Sequence, residues 1–447
     1  MRKIIAMLLA CMMVLGLFAA CSGNGSETTT GTTAGNDPAD TTQGGSTASG
    51  SVYYLNFKPE AEQAWLDLAK VYTQKTGVEV KVVTAASGDY ATTLNAQMGK
   101  EGQPTIFNVG NAMSVVDWAD YTLDLTDTKL AGELTTTDYN LYDTNGALKA
   151  IGYCYESFGI IVNTKLLGDA GYALSDIKDF ASLKAIAEDI HARAAELGFD
   201  AFTSSGLDGS SSWRFSGHLT NMPLYYEFRD ENVVEQPAAL KGTYLQNYRN
   251  IWDLYINNTA TAPADQITAT GDDSKADFHG GKAVFWQQGS WEYNGLIEAG
   301  MTDVAMIPIY CGVAGEENAG LCNGTENCWA INSQAKQEDI DASLEFLYWV
   351  VTSEEGTKML SEQFGTVPFK QAAEVTNGFS KTAIEMFEAG KYSVTWAFTS
   401  TPNVDSWRAG IVTALTAYTT DPTDANWAKV EEAIVAGWAI EYLSQNG

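Results

Sequence analysis

The chain has 447 residues, with 56 acidic against 26 basic side chains and a formal net charge of −30. That length exceeds what one hydrophobic core usually supports, so two lobes are expected. The charge excludes nucleic acid as a partner, because no excess of Lys or Arg is there to replace phosphate counterions; it also repels anionic ligands and leaves a neutral one unaffected.

Arg2-Lys3, the apolar run Ile4 to Ala20 and the small residues before Cys21 read as a secretory signal over residues 1–20. Phe18-Ala19-Ala20-Cys21 resembles the bacterial lipobox, which implies that Cys21 becomes the lipidated first residue of the mature protein. Residues 21–50 are almost all Ser, Thr, Gly, Asn, Asp and Ala. Such a stretch buries too little apolar surface to order itself and reads as a tether. Of the remaining cysteines, Cys154, Cys311, Cys322 and Cys328 allow three pairings, and the sequence does not choose among them. No C-x-x-C spacing occurs and the three His are dispersed, so no metal site is expected.

Ser51 to Phe57 looks like a buried first strand. A helix follows Pro59, with Trp65, Leu68, Ala69 and Tyr72 at i, i+3, i+4 and i+7, and Gly77 ends it. Val78, Val80 and Val82 alternate as a second strand. Strand, helix and strand imply a parallel sheet, whose ligands sit beyond the carboxyl ends of the strands. Lys58 and Glu60 in the first such loop, and Asn108 and Asn111 after the strand at Thr105-Ile106-Phe107, are therefore candidate ligand contacts. Asn suits a neutral polyol because its amide both donates and accepts.

Tyr155 and Glu156 lie in the apolar run Tyr153 to Asn163, where a carboxylate is costly to bury without donors. A helix over about 182–197 and a short strand lead to Leu207-Asp208-Gly209-Ser210-Ser211-Ser212-Trp213-Arg214. This turn makes Trp213 a loop aromatic and offers the planar fork of Arg214 for paired hydroxyls. Further helices are expected over about 244–256, 404–418 and 424–443, and residues 311–327 read as a loop. Phe278-His279-Gly280-Gly281-Lys282-Ala283-Val284-Phe285-Trp286 and Gly289-Ser290-Trp291 place a Gly-Gly turn, an apolar strand and an aromatic-amide turn in succession.

That last stretch resembles the F-x-x-G-K-A-A-M…G-x-W signature of extracellular solute-binding proteins of carbohydrate ABC importers, the class of the maltose-binding proteins. Val162-Asn163-Thr164-Lys165, Leu344 to Gly356 and Gly365-Thr366-Val367-Pro368 resemble segments that follow one another in the same family. The resemblance implies an α/β, two-lobed, type II periplasmic-binding-protein-like fold with three interlobe crossings, placed near 154, 272 and 331, and a C-terminal helical region. The first lobe is then 51–154 with 273–331, and the second 155–272 with 332–447. It implies Trp291, Trp286 and Trp407 as ligand contacts, joined by Glu156, Tyr155 and Trp213.

The function implied is that of a lipid-anchored, monomeric extracellular receptor. It would bind a di- or oligosaccharide, use no cofactor, catalyse nothing and deliver the sugar to ABC transporter permease subunits. Two alternatives stand beside it. A secreted glycosidase needs two carboxylates across a cleft, and no motif places them. The same fold with a polyamine, peptide or other small solute is the other, since aromatic boxes also bind cations.

Overall fold

The computed structural model describes residues 50–446 apart from Ala86 and Ser205. The expected signal segment, Cys21 and all but the last residue of the tether lie outside the described residues.

The strands run in chain order as Ser51–Asn56 (β1), Glu79–Thr84 (β2), Ile106–Val109 (β3), Leu141–Tyr142 (β4), Leu148–Gly152 (β5), Glu156–Asn163 (β6), Asp200–Phe202 (β7), Ala283–Gly289 (β8), Val304–Ile307 (β9), Ala319–Gly324 (β10), Cys328–Ile331 (β11) and Tyr392–Thr395 (β12). They form two sheets. One has the order β2-β1-β3-β11-β5-β4, the other β12-β10-β6-β8-β7 with β9 also on β6.

The opening follows its sequence pattern closely. The β1 and β2 strands pair in parallel from Ser51↔Glu79 to Asn56↔Thr84. The intervening helix, Glu62–Thr76, buries Trp65, Leu68, Ala69 and Tyr72, the stripe whose spacing predicts it. Gly77 closes that helix at a φ of 79°, a left-handed geometry that costs glycine nothing. Trp65 then anchors a cluster shared with β1, β3, β5 and β11 and with the helices Gln337–Thr352 and Glu354–Phe364. Ser353 caps the second of these by accepting from Gly356 N at 3.1 Å.

The second sheet is centred on β6, every residue of which is buried. It pairs antiparallel with β8, from Phe158↔Gly289 to Val162↔Phe285. Helices cover it, among them Phe180–Ala192, Leu245–Asn257 and the antiparallel pair Val404–Thr420 and Asp424–Asn446, whose Trp407, Trp427 and Trp438 join its core.

Several assignments are corrected here. Residues 273–331, expected together in the first lobe, are divided: β8, β9 and β10 belong to the second sheet and only β11 to the first. Residues 332–447, expected in the second lobe, are divided as well, because the helices from Gln337 to Phe364 pack on the first sheet. No crossing occurs near 272, since the helix Gly271–His279 joins β7 to β8 within one sheet. The chain instead passes between sheets at 153–155, at 325–327 and after Phe369. Residues 311–327 are not all loop. Leu321 and Cys322 are buried there on β10, between glycines that hide the strand pattern. All four cysteines from Cys154 to Cys328 are buried free thiols.

Candidate functional site

The carboxyl end of β1 sets the floor of a cavity of about 270 Å³ lined from both sheets. Asn56 folds the loop there, its side chain donating to Lys58 O (2.8 Å) and accepting from Lys58 N (3.1 Å). The Lys58 ammonium is thereby turned onto Glu156, the first residue of β6, which it meets with both carboxylate oxygens at 3.0 and 2.8 Å. Asn327, on the second passage between sheets, donates to the same carboxylate at 2.7 Å. Burial alone would discharge Lys58, but Glu156 and Glu60 outweigh it and hold its pKa above the ordinary value. The pair thus ties the first sheet to the second with the donors Glu156 needs.

The aromatic wall comes from the second sheet. Gly289 lets Trp291 lie flat on the backbone, as a methyl there would stand 2.2 Å from its ring. Trp291 sits 5.8 Å from Trp213, which is held by a hydrogen bond from its Nε1 to Ser210 O at 3.0 Å. After Trp213 the chain winds through a π-helical turn, Arg214–Leu219, with Thr220 N donating to Phe215 O at 3.2 Å. Wide turns of this kind recur at functional sites. This one carries His218 into the wall, stacked on Phe158 at 4.3 Å and met edge-on by Trp396 at 4.7 Å and Phe398 at 4.8 Å. Trp396 in turn lies against Gly324, whose absent Cβ would come within 2.5 Å of its ring.

Several polar atoms of this lining are buried without a partner among the described residues: Asn108 Nδ2, Trp396 Nε1, Arg408 Nε and His218 Nδ1. Asn108 spends its Oδ1 on Tyr54 (3.1 Å) and its backbone N–H on the Tyr90 hydroxyl (2.6 Å), which leaves the amide donor over. Arg408 rests on Phe398 at 5.2 Å, beside Gly217, and its charge is met by Glu326 at 3.6 Å. Buried unpaired donors are costly, and those in this lining are what a ligand rich in acceptor oxygens satisfies.

Burial, with the charges of Arg408 and Lys58, pushes the His218 pKa well below its ordinary value. In the unfolded chain the imidazole takes a proton below about pH 6.5, while the folded protein holds it neutral, so stability falls as the pH drops through that value. The carboxyls of Glu60 and Glu326, raised by burial, act in the opposite sense. His218→Phe therefore isolates the histidine. Urea melts at about pH 7.5 and 5.5 are expected to show the variant losing less stability on acidification than the wild type.

Of the residues expected from sequence, Lys58, Glu60, Asn108, Asn111, Glu156, Trp213 and Trp291 line this cavity. Four do not. The Arg214 guanidinium is buried and committed to structure, donating to Ser274 Oγ at 2.9 Å, to Gln287 O at 3.4 Å and to Ser211 Oγ at 2.5 Å. Trp286 points to the opposite face of its strand, against Phe278 at 5.4 Å, as alternation along β8 requires. Trp407 is a core residue of its helix, donating to Ile434 O at 3.0 Å and meeting Trp438 edge-on at 5.6 Å. Tyr155 lines a separate, adjoining cavity. Sequence reasoning missed Trp396, His218, Glu326 and Arg408. Arg408 is next to Trp407, and one helical step turns the side chain by about 100°. Glu326 sits in the polar loop between Cys322 and Cys328, read only for its cysteines.

Solved structures share this architecture. RafE of Streptococcus pneumoniae in its apo form is 15% identical, over 89% of this chain and 100% of that one, with a TM-score of 0.64. RafE in complex with raffinose is 13% identical, over 88% and 99%, with a TM-score of 0.71. The GacH receptor of Streptomyces glaucescens GLA.O, solved unliganded and with acarbose, is 18% identical, over 89% and 98%, with a TM-score of 0.61. At these identities the likeness shows the fold, two-lobed and α/β as the sequence predicts. Among curated proteins none matches the chain. Residues 67–388 match the family described as bacterial extracellular solute-binding protein. This chain is a member of that family of bacterial extracellular solute-binding proteins, which bind solutes and are not enzymes.

Proposed function

We propose that the protein is a lipid-anchored extracellular receptor that binds a sugar between two lobes, one built on each sheet, and delivers it to the permease of an ABC importer. The observation that carries the reading is the cavity itself. Trp213, Trp291 and Trp396 line it together with the unpartnered donors of Asn108, Trp396 and Arg408. A sugar offers C–H faces that flat aromatics bury, and a rim of hydroxyls that take donors and acceptors in alternation. Residues from both sheets meet in the cavity, so a solute held there favours the closed arrangement by its differential affinity. The closed rim is then what a permease reads. Cys21 behind Phe18-Ala19-Ala20 supplies the anchor, and residues 21–50 the tether.

The glycosidase alternative falls with family membership. A polyamine remains the competing solute, because Lys58 itself sits 5.1 Å over the Trp291 ring and shows that the ring accepts a cation. Calorimetry with Trp291→Ala tests the sugar reading. For a sugar that binds the wild type, the variant is expected to lose more than ~1 kcal/mol, the scale of one aromatic contact. Unchanged affinity removes Trp291 from the site.

A further inference from the structure

One side of the cavity carries a chemistry that a rim of hydroxyls does not use. Phe57, Tyr90, Leu94, Val109 and Trp118 all line it and belong to one hydrophobic cluster beside β1 and β3, separate from the cluster beneath Trp213 and Trp291. Tyr90 and Leu94 stand four residues apart on the helix Ser87–Gln97 and so share one of its faces. Phe57 meets the Tyr90 ring edge-on at 5.4 Å. Ala91, exposed on the same helix, adds a methyl group to the lining. Phe57 and Trp118 are only half-buried, so two aromatic surfaces there are left partly uncovered by protein.

The polar groups set among these side chains are largely engaged. The Tyr90 hydroxyl donates to Leu55 O at 3.2 Å and accepts from Asn108 N at 2.6 Å. Asn95 donates its Nδ2 to Ala91 O at 2.8 Å. Asn111 Oδ1 accepts from Ser114 N and Oγ at 2.8 and 3.0 Å. A sugar hydroxyl laid here would exchange water for carbon, which costs free energy. The wall from the second sheet is the reverse, since Trp396 Nε1 and Arg408 Nε are buried there without a partner among the described residues.

Resting on the sugar-binding reading, we infer that the solute is a glycoside with a small apolar aglycone. Its sugar ring packs against Trp213 and Trp291, and a short alkyl or aryl group sits among Phe57, Leu94, Val109 and Trp118. The cavity, at about 270 Å³, lies just below the roughly 300–1,000 Å³ usual for small-molecule sites, which keeps that group small.

The full-length protein is titrated calorimetrically with glucose, galactose and xylose and with the α- and β-methyl, butyl and phenyl glycosides of each. Burial is worth roughly fourfold in affinity per methylene. A butyl or phenyl glycoside is therefore expected to bind at least tenfold more tightly than its free sugar, with a more negative heat-capacity change from the apolar surface it buries. Ala91→Asp sets a carboxylate among the apolar side chains from an exposed helix position, and should bring the ratio of the two affinities close to one. Circular dichroism confirms that the variant folds. A free sugar bound as tightly as all of its glycosides, equal heat-capacity changes, or a ratio that survives Ala91→Asp overturns the inference and leaves the sugar reading intact. Binding of no free sugar and no glycoside overturns the sugar reading and this inference with it.

Discussion

Glu156→Ala is expected to lower the free energy of unfolding by about 3–5 kcal/mol, the cost of stranding one member of a buried ion pair. The Lys58 and Glu156 side chains are 10% and 4% exposed and meet at 2.8 Å, so removing the carboxylate leaves an ammonium with Glu60, at 3.7 Å, as its one counter-charge among the described residues. Asn327 loses its acceptor in the same step. The double variant Lys58→Met, Glu156→Leu removes both charges and is expected to recover most of that loss, since an apolar pair of similar volume is often as stable as a buried ion pair. Urea unfolding of the three proteins measures both quantities. A small loss in the single variant would mean that water reaches Lys58 and that the pair does not hold the two sheets together at this point.

Trp407→Ala has an expected cost of similar size with a different signature. A fully buried Trp replaced by Ala typically costs about 3–5 kcal/mol through lost apolar burial and the cavity left behind. Trp407 is 2% exposed, and its ring is fixed by the bond to Ile434 O and by edge contact with Trp438. Because Trp407 does not line the candidate cavity, sugar affinity should be unchanged while stability falls. Denaturant unfolding paired with calorimetry reads both. Lost affinity with stability preserved would return Trp407 to the site.

Local patterns carried a large part of the fold. The stripe from Trp65 to Tyr72 and the glycine stop at Gly77 are decided by neighbours within one or two helical turns, and each stands where its pattern places it. Which sheet a strand joins is not local. The apolar run at 283–289 is compatible with either sheet, and only its register against β6 decides for the second. The crossing expected near 272 failed for the same reason.

The site divides along a similar line. Trp213 and Trp291 stand next to glycine-containing polar turns, and Lys58 and Asn108 close the carboxyl ends of parallel strands, so their positions were legible. Trp396 has no such flag, since its space is supplied by Gly324, more than seventy residues earlier in the chain. His218 owes its place to the π-helical turn, which the sequence Arg214 to Leu219 does not announce. Arg214 and Arg408 exchanged roles relative to expectation. The first is tied down by Ser211, Ser274 and Gln287 away from the cavity, and the second lines it.

The measurement that bears most directly on the central claim is a thermal-shift series on the purified protein, with sugars and polyamines each supplied in excess. A solute that binds only the folded chain raises its stability by about 2.7 kcal/mol at one hundred times its dissociation constant. At least one neutral sugar is expected to raise the unfolding midpoint, and spermidine and putrescine are expected to leave it where it is. A midpoint raised by a polyamine and by none of the sugars would overturn the sugar reading.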